Sequence, residues 1–253
     1  MSINIHRPTT LKHVLNQDFG FFLAGIIDGN GHFSKTPQLV VCFYEKDVSI
    51  AYFLKKQIQY GIVSKVKNKK AFTFVISHSL GLQKVCSLIV NKLQHKQKII
   101  QYNTRLFSLN NFQLTGKKDF SLSSNSWFAG FFLSDGIFQI KIIHKKNRKL
   151  PEIRLVIEIH QKEKDLLLQI QNEFNGSIGF RASQNSYYYN SVNFASAKKV
   201  IQYFDKYHLM GCKQTQYVLW RKVYVKIQEN FHLTQLGVKW ITNVKKRMSN
   251  ITQ

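Results

Sequence analysis

Two apolar segments of this 253-residue chain each end on an oxygen-bearing side chain followed by glycine. Residues 21–31 end with Asn30-Gly31, and residues 127–136 end with Asp135-Gly136. The last carbonyls of a helix lack partners and its dipole favours cations, so two such ends placed side by side would suit divalent metal ions. The repeat therefore predicts a duplicated fold with a carboxylate-type site on its pseudo-twofold axis.

An adjacent Ala-Gly pair interrupts each segment, Ala24-Gly25 in the first and Ala129-Gly130 in the second. Glycine inside a helix costs roughly 1 kcal/mol relative to alanine, so two matching pairs need a physical reason. Small residues let two helices cross with their backbones nearly in contact. We therefore expect the two helices to pack on each other and to end at the same place.

The charge of the chain is strongly positive, because 37 Lys and Arg against 13 Asp and Glu give a net charge of +24. Such an excess points to a polyanionic partner. No apolar run approaches the ~18 residues that span a bilayer, which disfavours a membrane and favours nucleic acid. The three cysteines show no CxxC spacing and predict buried, reduced thiols in an intracellular protein. A composition rich in Lys, Asn, Ile and Phe favours an organelle-encoded protein.

The two halves of the chain repeat the order α-β-β-α-β-β-α, which predicts an α+β fold. Strands are expected at 32–35, 38–45, 62–66 and 71–77 in the first half, and at 137–144, 152–160, 177–182 and 187–194 in the second. The predicted domains are a first repeat at 1–107, a polar linker at 108–125, and a second repeat with a C-terminal helical tail at 126–253.

The first segment, at residues 23–31, resembles the LAGLIDADG signature of homing endonucleases. Residues 128–136 resemble its degenerate second copy in the monomeric, two-repeat members encoded in group I introns, although Leu133 replaces the first acidic residue. The resemblance implies that each repeat contributes a twisted antiparallel sheet and that the two sheets form a DNA-binding saddle. It further implies hydrolysis of phosphodiester bonds at a long pseudo-palindromic site, with Mg²⁺ as cofactor and Mn²⁺ as a substitute.

The resemblance also assigns the metal site. It makes Asp135 the acidic ligand of the second half and Asn30 its counterpart, with the adjacent Gly29 and Ser134 completing the site. Asn30 departs from the family pattern, which has a carboxylate there. An amide oxygen can ligate Mg²⁺ but carries no charge, so cleavage by this chain is expected to be impaired.

Four further positions are carried over from the family. Lys96 and Lys213 each begin a Lys-Gln pair and resemble the basic residues that line the cleavage site. Gln161 resembles a polar residue that positions water, and Glu45 occupies about the same place in the first half. These four are expected to complete the catalytic group.

The strands predicted to read DNA show period-two patterning, which separates a core face from a ligand face. Arg and Lys suit guanine, Gln suits adenine, and Glu suits cytosine, whereas basic turns meet phosphates. The predicted DNA contacts are Lys35, Lys65, Lys67, Lys69, Lys70, Gln139, Lys141, Lys146, Arg148, Arg154, Glu158, Arg181 and Tyr187.

Two other functions stay open at this stage. Members of the same family also act as maturases that bind their host intron RNA, and Asn30 favours such a non-catalytic role. Asn30 also fits a substitution introduced to trap an uncut complex. We expect double-stranded DNA as the partner, with host intron RNA as the alternative, in a monomer without an obligate protein partner. Mitochondrial localisation is expected, with the chloroplast as second choice.

Overall fold

A computed structural model describes residues 12–109, 112–191 and 193–252. The chain forms two compact units that join in sequence between Asp135 and Gly136. Asn110 and Asn111, which belong to the predicted linker, lie outside the described residues. So do residues 1–11, which the first predicted repeat included.

The first unit combines five helices with four strands among its described residues. In chain order they are α1 (Lys12–Asn30), β1 (Gly31–Phe33), β2 (Leu39–Tyr44), α2 (Val48–Ile58), β3 (Ile62–Lys65), β4 (Ala71–Ile76), α3 (Ser79–Ile89), α4 (Lys96–Arg105) and α5 (Trp127–Asp135). The strands form an antiparallel sheet in the order β1-β2-β4-β3. One face of the sheet is buried through alternate residues such as Leu39, Val41 and Phe74.

The second unit repeats this arrangement. Its described elements are β5 (Gly136–Ile143), β6 (Glu152–Gln161), α6 (Asp165–Phe174), β7 (Ser177–Arg181), β8 (Ser186–Ser191), α7 (Phe194–Lys206), α8 (Gly211–Gln228) and α9 (Gln235–Thr252). The antiparallel order β5-β6-β8-β7 matches that of the first sheet. The predicted fold class, a duplicated α+β architecture with one antiparallel sheet in each repeat, is confirmed.

The compact units do not coincide with the sequence repeats. Helix α5 opens the second repeat, yet it lies in the unit that begins with α1 because the two helices pack along each other. The predicted C-terminal tail forms α9, which buries Ile241, Val244 and Met248 at helical spacing. Among the described residues, no helix has the length and apolar character needed to cross a membrane.

Candidate cleavage centre and nucleic-acid interface

The α1–α5 seam is built on the two Ala-Gly pairs. A Cβ added to Gly25 would lie 2.0 Å from the carbonyl oxygen of Trp127, and one added to Gly130 would lie 2.1 Å from that of Phe22. These are backbone atoms, which cannot rotate away as side chains do. The expected close approach is therefore present, and at both positions only glycine fits.

The two helices also meet at their C-terminal ends. Helix α1 ends at Asn30 and α5 at Asp135, and a Cβ added to Gly29 would lie 2.6 Å from the Cβ of Ser134. The seam thus brings together the four residues that the sequence assigned to a metal site. Their donors are hard oxygens, which suit Mg²⁺, but they include one carboxylate only.

The amide of Asn30 is oriented by the backbone of β2. Its Nδ2 donates a hydrogen bond of 3.2 Å to the carbonyl oxygen of Cys42. A carbonyl accepts but never donates, so this bond fixes which end of the amide faces the strand. The Oδ1 atom of Asn30 therefore faces away from Cys42, as an oxygen ligand for a cation would require.

Asp28 is a motif residue beside the candidate site that the sequence reasoning did not single out. It is buried, and its Oδ2 accepts hydrogen bonds from the backbone N–H of Gln94 at 2.7 Å and the indole Nε1 of Trp127 at 2.9 Å. Its Oδ1 accepts from the backbone N–H of His95 at 3.2 Å. Asp28 therefore ties the end of α1 to the chain that enters α4 and to the start of α5.

Burial raises the pKa of Asp28 to about 7, although the three N–H donors partly oppose the shift. The second repeat has Leu133 at the corresponding place in its motif. This difference between the repeats could have pointed to Asp28 from the sequence. The first repeat has polar residues at both acidic positions of the motif, whereas the second has one only at the last position. Asp28, at the first acidic position, is structural in this chain, since its carboxyl group accepts hydrogen bonds from within the fold.

Lys98 and Lys213 occupy equivalent places in the two units. The Nζ of Lys98 donates to the carbonyl oxygen of Gly31 at 2.6 Å, and the Nζ of Lys213 donates to that of Gly136. Sequence reasoning paired Lys213 with Lys96, which begins α4, whereas these contacts pair it with Lys98. A move of two residues along a helix turns a side chain by roughly 200°, so the two choices are not interchangeable.

Lys98 lies within electrostatic reach of Asp28 and Asp135. Burial lowers its pKa, while the charges of Asp28 and Asp135 act to raise it. The functional groups beside the paired helix ends are thus the carboxylate of Asp135, the amide of Asn30 and the ammonium group of Lys98. Such a set combines a metal ligand with a fixed positive charge.

The two expected water-positioning residues occupy different places in their sheets. Gln161 ends β6 and, by alternation, shares a face with the buried Ile159. The strand registers match Gln161 with Phe43 rather than with Glu45. Glu45 follows β2 and forms an ion pair of 3.0 Å with Lys65. The structure therefore does not make Gln161 and Glu45 counterparts.

The outer face of the second sheet, opposite Leu155, Ile157 and Ile159 of β6, carries most of the polar side chains that were predicted to read bases, including the buried Glu158. Gln139 donates to Glu158 at 3.1 Å, and Glu158 also contacts the Nε2 of His160 at 2.5 Å. Arg181 lies over the ring of Tyr188 and 4.0 Å from Glu158. These side chains form one connected polar surface.

Arg154 lies on the same outer face, opposite Lys141 in the register of β5 and β6. Its Nε donates to Glu152 at 2.5 Å, and Lys145 pairs with the same carboxylate. Arg154 and then Lys145 lower the pKa of Glu152 to about 2. Arg154 is therefore held in place within the protein and keeps donors available beyond Glu152.

Two predicted DNA contacts lie on the core side of their strands. Tyr187 alternates with Tyr188 and shares its face with the buried Tyr189, so Tyr188 is the tyrosine on the outer face. Lys65 shares its face with Val63 and pairs with Glu45. The remaining predicted lysines and Arg148 lie in exposed turns after β1, between β3 and β4, and between β5 and β6: Lys35, Lys67, Lys69, Lys70, Lys146 and Arg148.

A basic groove of about 500 Å³ runs beside β5 in the second unit. Lys141, Lys213 and Lys245 line it together with Gln139 and Gln216. The groove thus joins Lys213, beside the motif glycine, to a lysine on the outer face of the sheet. Three ammonium groups along one depression suit the phosphates of a nucleic acid.

Relatives of the chain are encoded in introns. It is 44% identical over 255 residues to an uncharacterized cox1 intron-2 37.2 kDa protein of Schizosaccharomyces pombe, covering 98% of this chain and 78% of the relative. The intron-encoded DNA endonuclease aI3 of Saccharomyces cerevisiae is 23% identical, with 89% of this chain and 68% of the relative covered. The intron-encoded RNA maturase bI4 of the same yeast is 25% identical, with 76% and 30% covered.

The same architecture occurs in solved structures. The LAGLIDADG meganuclease I-AabMI, solved bound to uncleaved DNA, superposes with a TM-score of 0.72 at 19% identity, covering 90% of this chain and 98% of that one. The family model described as LAGLIDADG endonuclease matches residues 128–224. With the duplicated fold, the glycine seam and the paired motif ends, these findings show that the chain belongs to the LAGLIDADG endonuclease family.

Proposed function

We propose that this chain is a site-specific, metal-dependent DNA endonuclease that acts on a long duplex target and is slowed by Asn30. The paired helix ends carry the proposal. Asp135 and Asn30 end two helices whose crossing admits only glycine at positions 25 and 130, and Lys98 lies within electrostatic reach of Asp135. Such close packing is costly to maintain, and it supports a site that needs both ends in fixed positions.

Each residue of the proposed centre has a distinct role. Asp135, the Oδ1 of Asn30 and the backbone oxygens of Gly29 and Ser134 would hold the divalent cation. When bound, that cation would activate water and neutralise charge on the leaving oxygen. Lys98 would supply fixed positive charge beside the helix ends, and Lys213 would supply it beside the motif glycine of the second unit. Asn30 contributes an oxygen without a charge, so the first half of the centre binds metal more weakly than the second.

The proposed target follows from the two sheets. Their outer faces carry different side chains, so the target should be only partly palindromic. Both half-sites are read by one chain, so a homodimer would be redundant, and we propose a monomer. The cox1 intron relative supports an intron-encoded protein that acts in the mitochondrion.

RNA binding is the second candidate function. Asn30 in place of an acid favours it, as does the similarity to the RNA maturase bI4. On this alternative the basic turns and the groove at Lys213 would bind intron RNA, and the helix ends would keep only a structural role.

A selection experiment decides between the two candidates. The purified chain is incubated with a randomised duplex DNA library, and bound and cleaved molecules are sequenced separately with and without Mg²⁺. We expect a long bound motif, with slow or single-strand cleavage at its centre in Mg²⁺ only. Asp135→Asn should abolish the cleaved ends while the bound motif stays the same. Failure to enrich any duplex motif, together with tight binding to a structured intron RNA, would favour the maturase.

A further inference from the structure

The outer face of the first sheet differs in chemistry from that of the second. Residues Val40, Cys42 and Tyr44 of β2 point away from the buried Leu39, Val41 and Phe43. The register of the sheet aligns them with residues of β4 and β3 in rows across the strands: Val40 with Val75 and Ile62, Cys42 with Thr73 and Ser64, and Tyr44 with Ala71.

These rows leave few groups for hydrogen-bonded base readout. Among the strand residues that the structure describes, the outer face of the first sheet carries no Arg, Lys, Asn, Gln, Asp or Glu. Those side chains make the base-specific hydrogen bonds in the major groove, whereas Ser and Thr, present here as Ser64 and Thr73, bond to different bases without discrimination. Three of the four residues in the first row are aliphatic, with 65% of Ile62 exposed, and the fourth is the exposed His32 of β1, which pairs with Val40.

The equivalent row of the second sheet is polar at three of its four positions, and the fourth is Ile137 of β5, which pairs with Glu158. Gly31 and Val41 correspond to Gly136 and Ile159 in the two registers, which matches Val40, Val75 and Ile62 with Glu158, Asn190 and Ser177. The two repeats thus place aliphatic and polar groups at the same points of the same scaffold. A difference at matched positions indicates different ligands rather than a different fold.

Basic residues beside the aliphatic face favour a nucleic acid as its occupant. The exposed turn between β3 and β4 contains Lys67, Lys69 and Lys70, and Lys35 is exposed after β1. Apolar side chains flanked by ammonium groups match a duplex groove, in which phosphates border the base edges. The base feature that apolar side chains recognise there is the C5-methyl group of thymine.

We propose that the first sheet reads a thymine-rich half-site through methyl contacts from Val40, Val75 and Ile62, whereas the second sheet reads its half-site through hydrogen bonds. This inference rests on the proposed DNA recognition and specifies its chemistry. It predicts a target with two chemically different halves.

A cleavage reagent attached to the thiol of Cys42 would show which half-site faces the first sheet. The expectation of buried cysteines is wrong for Cys42, which is exposed on the outer face next to the row of Val40, and right for Cys86, which is buried. An iron chelate attached to Cys42 should cleave the selected duplex, through hydroxyl radicals, within one half-site only. The Cys42→Ser chain, treated identically, reports any cleavage from Cys212 and serves as the control.

Replacing thymine by uracil then tests the methyl contacts, because it removes that group alone. In the half-site marked from Cys42, we expect each contacted uracil to weaken binding about fourfold, the value for one buried carbon. Uracil in the other half-site should change binding less than twofold. Val75→Asn, which copies Asn190 of the second sheet, should shift the preference at one base pair from thymine to adenine.

The outcomes separate the two proposals. If no duplex motif is enriched, DNA recognition itself is wrong and the inference falls with it. If a motif is enriched but uracil in the marked half-site binds as well as thymine, the methyl readout alone is overturned. Enrichment of guanine or cytosine throughout the marked half-site would overturn it equally.

Discussion

At the scale of single residues, Asp28 and Asn30, the two polar residues of the first motif, have different roles. Asp28 is enclosed by N–H donors from Gln94, His95 and Trp127, so its oxygens serve the fold. Asn30 is exposed and makes one hydrogen bond to β2, which leaves its Oδ1 for a ligand. The loss of an acid at position 30 therefore weakens a proposed metal site without removing a structural bond.

Restoring the acid tests the role of position 30. Asn30→Asp should raise cleavage of both strands in Mg²⁺, because it adds one charge to the metal site. It should also lower stability without metal by about 1–2 kcal/mol, because a carboxylate replaces the donor to Cys42 and repels Asp135. Cleavage assays and thermal unfolding with and without Mg²⁺ measure both effects.

Asn30→Ala is the matched control, because it removes the bond to Cys42 and adds no charge. It should lower stability by less than Asn30→Asp and leave cleavage no faster. Equal double-strand cleavage by the original chain and Asn30→Asp would show that position 30 is not the missing acid.

The raised pKa of Asp28 makes stability depend on pH. The ordinary value of 3.8 applies in the unfolded chain and about 7 in the folded one, so the folded state holds the proton more tightly. The stabilisation that Asp28 provides is complete below pH ~4 and is lost as pH rises to about 7. Above that pH its effect on stability no longer changes. Asp28→Asn should remove this pH dependence, which changes the free energy of unfolding by on the order of a few kcal/mol in total.

Urea unfolding of both chains between pH 4 and 8 provides the measurement. The difference between the two curves isolates Asp28 from histidines such as His32 and His232, whose pKa values are lowered by burial. Parallel curves would mean that Asp28 stays ionised in the fold.

At the scale of elements, the α1–α5 seam fixes the centre. The glycines at its crossing face backbone atoms of the partner helix, so an added methyl group cannot be accommodated by a change of rotamer. Gly25→Ala and Gly130→Ala should each cost more than about 3 kcal/mol, above the common range for overpacking. Thermal unfolding and the yield of folded protein report the loss.

Gly116→Ala is the control for both variants, because a Cβ at Gly116 meets no atom within 4 Å. It should change stability by less than about 0.5 kcal/mol. If Gly25→Ala proved equally harmless, the helices would have to separate easily, and the seam would not position the centre.

The elements also show what the sequence could predict. The alternation of apolar and polar residue types along β5 and β6 indicated the two faces, and the Ala-Gly pairs indicated the seam, because each is a local pattern. The partners of Asp28 lie at least 66 residues away, so no local pattern could reveal them. Three consecutive tyrosines in β8 carry no polarity signal, which is why Tyr187 was expected on the wrong face.

Lys98 was missed for a different reason. The start of α4 is set by His95, whose Nδ1 accepts a hydrogen bond from the backbone N–H of Gln97. Sequence repetition matched Lys96 with Lys213 through their Lys-Gln pairs. The phase of the helix, which depends on that cap and on Asp28, instead directs Lys98 to the motif glycine.

At the scale of the whole molecule, a net charge of +24 makes affinity depend on salt. Binding constants measured against salt concentration should give a steep negative slope. Lys146→Ala, in the exposed turn between β5 and β6, should weaken binding to all sequences and reduce the slope by about 0.9. Arg154→Ala should instead cost about 1–3 kcal/mol at one base pair.

The pair of variants separates phosphate contacts from base contacts within one sheet. A uniform loss for Arg154→Ala, with no change in sequence preference, would make it a phosphate contact like Lys146. An unchanged salt slope for Lys146→Ala would place the turn outside the interface.

The mismatch between repeats and compact units bears on how hybrid proteins should be assembled from relatives. A junction in the polar stretch before α5 would pair α1 of one parent with α5 of another, and the two backbones at Gly25 and Gly130 would have to fit without having evolved together. A junction between Asp135 and Gly136 keeps both helices from one parent and exchanges the second sheet whole. On the proposed function, half-site specificity should therefore be exchangeable at that peptide bond, even though the sequence repeat begins upstream of it with α5.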